Sequence, residues 1–158
     1  ALPIYAVADA AVSLNWLRFS RSHRFHLERH TRNPFHKYDS STGYCQIFSQ
    51  VAIEAILFGA RMGIPDITGI AGELSPDRPE DLRRVWSRLH TDKVFNLTCG
   101  ALNLLHAAYQ MTGRLDFAHY LPEEIQLVFS RYNGNVKRIT PYGEQAWRYY
   151  LEFTDPDK

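Results

Sequence analysis

The chain has only two cysteines, Cys45 and Cys99, in 158 residues. Two thiols make no disulfide framework, so the fold must rest on a buried apolar core. Both stand among apolar neighbours and read as buried free thiols, with a Cys45–Cys99 bridge open to a chain working in an oxidising compartment. Charge of one sign is equally scarce: 18 basic residues face 17 acidic ones, for a net charge of +1. A near-neutral total carries no electrostatic footprint for nucleic acid. No apolar run approaches the roughly 18 residues that a membrane-spanning helix requires, so no membrane span is expected. No export signal is legible, and the opening Ala1-Leu2-Pro3 fits either a processed chain or a domain of a longer one. There is no internal repeat, no His-Glu-x-x-His motif and no nucleophile elbow. His26 and His30 are four apart and share a helix face. Glu28, two residues from each, points about 200° away and cannot join them. They read as surface or packing histidines, and neither a metal nor a cofactor is expected.

The remainder has an ordinary globular composition, 45% apolar and 22% charged, and its length suits one domain with its own core. Apolar positions recur at helical spacing, and no convincing set of strands emerges. The class expected is all-α, or mainly α with a minor hairpin near residues 35 to 48. The spacing predicts a long helix over 6–30, ended by Asn33-Pro34, and a loop over 34–48 turning at Ser41-Thr42-Gly43. A helix over 49–62 follows, with Ser49 as N-cap and Val51, Ala55, Phe58 and Met62 on one face. Gly63 and Pro65 stop it. Residues 79–90 form the next helix, with Pro79 in the first turn. Thr91 is the expected cap of a helix from Asp92 to Met111, whose apolar face includes Val94, Leu97, Ala101, Leu104, Leu105 and Ala108. A short helix over 122–131, a loop at Tyr132-Asn133-Gly134-Asn135, and a last helix from Thr140-Pro141 complete the chain.

One stretch carries chemistry: Glu28 to Ile47, in which a lone glutamate leaves a helical run and a Pro-broken loop and a Ser-Ser-Thr-Gly turn lead to Gln46 and Ile47. Residues 18 to 37 hold six Arg and Lys against Glu28 alone, which suits an anionic polymer and equally suits a solvated helix face. The order Glu28, Ser40 or Ser41, Gly43, Gln46, Ile47 resembles the first signature of the lytic transglycosylase and goose-type lysozyme superfamily. Asn96 with Gly100 four residues later, then Leu104, resembles a second helix of those enzymes. Phe129 to Gly134 resembles their Tyr-Asn-Ala-Gly block. The three blocks run in the family's order, with Arg29, Cys45 and the missing Ala after Asn133 as departures.

The resemblance implies a lysozyme-like helical domain over 1–158 with a glycan cleft, acting on peptidoglycan glycan strands in the periplasm or outside the cell. It implies Glu28 as the catalytic acid. Breaking a glycosidic bond needs a proton on the leaving oxygen while positive charge develops on the sugar, and a carboxyl keeps that proton near neutral pH only where burial raises its pKa. Phe25, Phe35 and Tyr132 are the aromatics expected around it. Ser41, Gln46, Asn96, Tyr132 and Asn133 are the expected substrate-binding residues. In the transglycosylases one Glu serves as acid and then base, and the sugar's 6-hydroxyl closes a 1,6-anhydro ring. Asp39 opens the alternative of a hydrolysing muramidase in which it positions water, against its plain reading as a turn residue before Ser-Ser. The second alternative is a non-catalytic helical module that binds glycan or a partner protein.

Overall fold

The architecture comes from a computed structural model, which describes residues 41–154 other than 67 and 135. The helix expected over 6–30, together with Glu28, Asp39, His26, His30 and the basic run beside them, lies outside the described residues. Within them the fold is all-α. Five helices follow one another: α1 Ser49–Arg61, α2 Pro79–Thr91, α3 Lys93–Thr112, α4 Pro122–Asn133 and α5 Pro141–Thr154. Short 3₁₀ turns at Ala71–Glu73 and Phe117–His119 interrupt the two longer connections. The hairpin expected near 35–48 is, over its described part, one antiparallel bridge between Thr42 and Ile47.

The helix boundaries follow local chemistry. Helix α2 opens on Pro79, whose missing N–H is lost at no cost there, with Glu80 and Asp81 in the first turn and Arg88 and His90 in the last. The cap of α3 is Asp92, whose carboxylate accepts the Phe95 N–H at 3.0 Å. Thr91, expected in that role, is the last residue of α2 and donates its hydroxyl to the Ser87 carbonyl. Gly113 ends α3 in the left-handed region at φ 72°. Ser49 does not cap α1: the N-cap is Phe48, and Ser49 is buried inside the first turn. Helix α4 runs on through Tyr132 and Asn133, which were expected in a loop.

Helix α3 is the axis of the fold, packing against α1, α2 and α4, while α4 pairs with α5. Its first half joins one apolar cluster: Phe95, Cys99 and Leu102 meet Ile53 and Ile56 of α1, Val85 and Leu89 of α2, and Cys45 and Ile47 of the preceding loop. Its second half joins another: Leu104, Ala107 and Ala108 meet Val128 and Phe129 of α4 and Ala146 and Tyr150 of α5. Val94, expected in the apolar face, is 74% exposed. Phe95, its neighbour, takes the inward position instead. Of the face expected on α1, Ala55 and Phe58 are buried and Val51 partly so, while Met62 is exposed and Ala52, Ile53 and Ile56 are buried as well.

Helices α4 and α5 meet at a glycine. A methyl group on Gly143 would overlap the Ser130 hydroxyl and the Gln126 carbonyl. That hydroxyl donates to Gln126 O at 2.8 Å and accepts the Thr140 N–H at 2.9 Å, which fixes the start of α5. Gly143→Ala is therefore expected to destabilise the chain by about 1–3 kcal/mol through overpacking, read as a lower urea midpoint at an unchanged slope.

Candidate functional site

The described parts of the three separated blocks, the loop up to Ile47, Asn96 with Gly100, and Tyr132, meet at one hydrogen-bonded junction. Its base is the loop Thr42–Ile47. Thr42 and Ile47 exchange backbone bonds at 3.1 and 3.3 Å, closing a tight turn whose interior must leave the ordinary backbone regions. Gly43 does so at φ 73°, and Gln46 at φ 49° is the one non-glycine residue with positive φ among the described residues. Gln46 is held there by its own amide, which donates to the Gly43 carbonyl at 2.7 Å, while Ser41 Oγ donates to Gln46 Oε1 at 3.4 Å. A left-handed glutamine is a strained conformation that the surroundings must enforce.

The enforcing residue is Asn96. Its side chain is fully buried, and its amide makes three bonds: Oδ1 accepts the Cys45 N–H at 2.8 Å, and Nδ2 donates to Thr42 O at 3.1 Å and Leu89 O at 3.0 Å. One side chain thus joins the loop, the end of α2 and the start of α3. Two glycines make this approach possible. A side chain on Gly43 would overlap the Asn96 amide and the Leu89 carbonyl, and one on Gly100 would place its Cβ 2.6 Å from Cys45 Sγ. From the other side Tyr132, on α4, donates its hydroxyl to the Cys45 carbonyl at 2.9 Å. At the rim, Thr42 Oγ1 lies 3.0 Å from His90 Nδ1, and Trp86 stacks on His90. The rings of Tyr44 and Phe48 stay partly exposed on either side of Gln46, with Lys93 Nζ 5.1 Å from the Tyr44 ring centroid.

This geometry sorts the expected binding residues. Ser41, Gln46 and Tyr132 come together. Asn96, expected among the binding residues, belongs to the same junction and is 0% exposed, with its amide engaged by backbone groups of the loop and α2. Asn133 is exposed at the end of α4, one residue past the contact made by Tyr132. The residue that sequence reading passed over is Cys45, whose N–H and carbonyl are both docking points. Its trace in the sequence is Gly100, the gap in α3 that its sulfur fills.

Burial pushes the Cys45 and Cys99 thiols up to about 12, so neither supplies a thiolate nucleophile near pH 7. Burial also holds the Tyr132 phenol well above its ordinary range, which keeps it a hydrogen-bond donor. The described junction therefore positions backbone groups. Among the described residues no group of three His, Cys, Asp or Glu side chains is arranged to hold a metal ion, and no helix is long and apolar enough to cross a membrane. Compared with protein-family models, with curated proteins and with solved structures, the chain matches none of them.

Two outcomes follow. Asn96→Leu keeps the volume but leaves the Cys45 N–H and the Leu89 carbonyl without their partner, while the Thr42 carbonyl keeps the Ile47 N–H. At about 1–3 kcal/mol for each unsatisfied buried group, a loss of at least about 2 kcal/mol is expected in chemical denaturation. The raised thiol pKa values set the second. Above the ordinary thiol pKa of about 8.5 the unfolded chain releases protons that the folded chain retains, so stability falls as pH rises. Between about pH 9 and 10 the loss should approach about 1.4 kcal/mol per pH unit for each thiol, and a Cys99→Ala variant should show a shallower slope in urea melts across that range.

Proposed function

We propose that the chain cleaves the β-1,4 bond between N-acetylmuramic acid and N-acetylglucosamine in peptidoglycan by a lytic transglycosylase mechanism, with Glu28 as the one catalytic carboxyl. The observation that carries this reading is the meeting of the three blocks on which the resemblance rests. Loop Ser41–Ile47, the Asn96–Gly100 segment and Tyr132 are far apart in sequence, yet they close on one another through Cys45. A bare coincidence of motif letters gives no reason for them to be adjacent. Gln46 in a strained backbone, with partly exposed aromatics two residues before and after it in sequence, is the kind of prepared polar position that suits a sugar-binding edge.

In this reading Glu28 protonates the leaving glycosidic oxygen, the substrate's own acetamido group stabilises the developing positive charge, and Glu28 then accepts a proton from the 6-hydroxyl as the 1,6-anhydro ring closes. Gln46 and Ser41 form the loop side of the glycan site, and Tyr132 fixes that loop from α4. The site of action is the bacterial wall, reached in the periplasm or after export. Replacing Glu28 by Gln should lower release of soluble muropeptides from purified walls by at least about a hundredfold while leaving the thermal transition in place. Mass spectrometry of the native products should find 1,6-anhydro-muramyl ends. Products about 18 mass units heavier, which carry an added water, would instead establish hydrolysis. Walls left intact by the native chain would leave a binding module.

A further inference from the structure

Asn96, Asn103 and Gln110 are seven residues apart on α3. Seven residues return to within about 20° of the same direction on a helix, so the three amides form one polar stripe. The stripe runs along the seam between the two apolar clusters: Leu102 faces one cluster and Leu104 the other, with Asn103 between them. Both ends of the stripe are engaged. Asn96 holds the loop through three bonds. Gln110 accepts the Arg131 Nε–H at 2.9 Å and reaches His106 Nε2 at 3.0 Å. Asn103 is only 9% exposed, and its side chain has no hydrogen-bond partner among the described residues. No fully buried side-chain polar atom there is left unsatisfied, so the Asn103 amide keeps a narrow opening to solvent. Along α3 it lies between the level of Gly100, where Cys45 and Tyr132 close the junction, and the level of Gln110, where Arg131 crosses from α4.

We propose that Asn103 is the receptor for an acetamido group of the glycan, its carbonyl accepting the sugar amide N–H and its NH₂ donating to the acetyl oxygen. A primary carboxamide is the side chain that offers donor and acceptor side by side, which is the complement of a secondary amide. Because no group among the described residues occupies the Asn103 amide, a ligand amide would displace only water from it. The inference rests on the glycan reading above and adds to it a residue and a substrate group.

The test compares binding of the β-1,4-linked N-acetylglucosamine tetramer and of its de-N-acetylated counterpart by calorimetry, for the native chain and Asn103→Leu. The variant should bind the acetylated tetramer about tenfold more weakly, the scale of one or two net hydrogen bonds, and the de-acetylated tetramer unchanged. Its melting temperature should be equal or higher, because no internal bond is lost. Should Asn103→Leu fail to fold, Asn103→Ala, which adds no volume, carries the same comparison. Equal weakening for both tetramers, no weakening at all, or a melting temperature several degrees lower would overturn the assignment. If the native chain releases muropeptides and only the Asn103 comparison fails, the glycan reading stands without this residue. If the native chain binds neither tetramer and leaves purified walls intact, both fall.

Discussion

The hydrogen bonds of the Asn96 side chain are the constraint on which the described structure depends. A primary amide can serve an N–H and two carbonyls together, and here it does so across 54 residues of sequence, from Thr42 to Asn96. Each group it satisfies is backbone, which explains why the contact has to be so close and why glycine is required at Gly43 and Gly100. Local bonds from Gln46 to the Gly43 carbonyl and from Ser41 support the left-handed conformation of Gln46, and the Asn96 anchor fixes the ends of the loop that carries it. The bond that Tyr132 makes to the Cys45 carbonyl then fixes the same loop from α4.

The second organising feature is the division of α3 between two apolar clusters. A helix of 20 residues is long enough to serve as the wall of one cluster near its start and of another near its end. Where the two faces meet, a seam runs along the helix, and polar or small residues occupy it. A seam can accept a polypeptide loop at one end and a side chain from α4 at the other without breaking either core. Adjacent helices are thereby joined by directional bonds as well as by apolar packing, and the position of one loop is coupled to the placement of α4.

Several features were legible in the sequence for reasons that are local. Pro79 and Pro122 open helices because they lack an N–H that the first turn does not use. Gly63 and Gly113 close helices because they accept positive φ. The free, buried state of Cys45 and Cys99 followed from their apolar neighbours. Other features depended on packing. Val94 fits an apolar periodicity yet faces solvent, because Phe95 beside it takes the inward position. Thr91 and Asp92 both have capping side chains, and only the point at which α2 ends makes Asp92 the cap. Asn96 was marked as a residue of interest, but its sequence context does not distinguish an amide that meets a ligand from one that binds backbone.

By itself, then, the sequence determined the all-helical class, most helix ends and the membership of Ser41, Gln46, Asn96 and Tyr132 in one set of residues. These depend on the backbone preferences of Pro, Gly and Asp, on a 3.6-residue apolar period, and on a resemblance in motif order. Only the tertiary structure decided what each member does. Asn96 became an internal clasp because burial left its amide no choice but backbone partners. Tyr132 became a clamp on Cys45 because α4 extends far enough to bring its hydroxyl across α3. Such roles depend on distances between segments that are remote in the chain, and no pattern within a single segment records them.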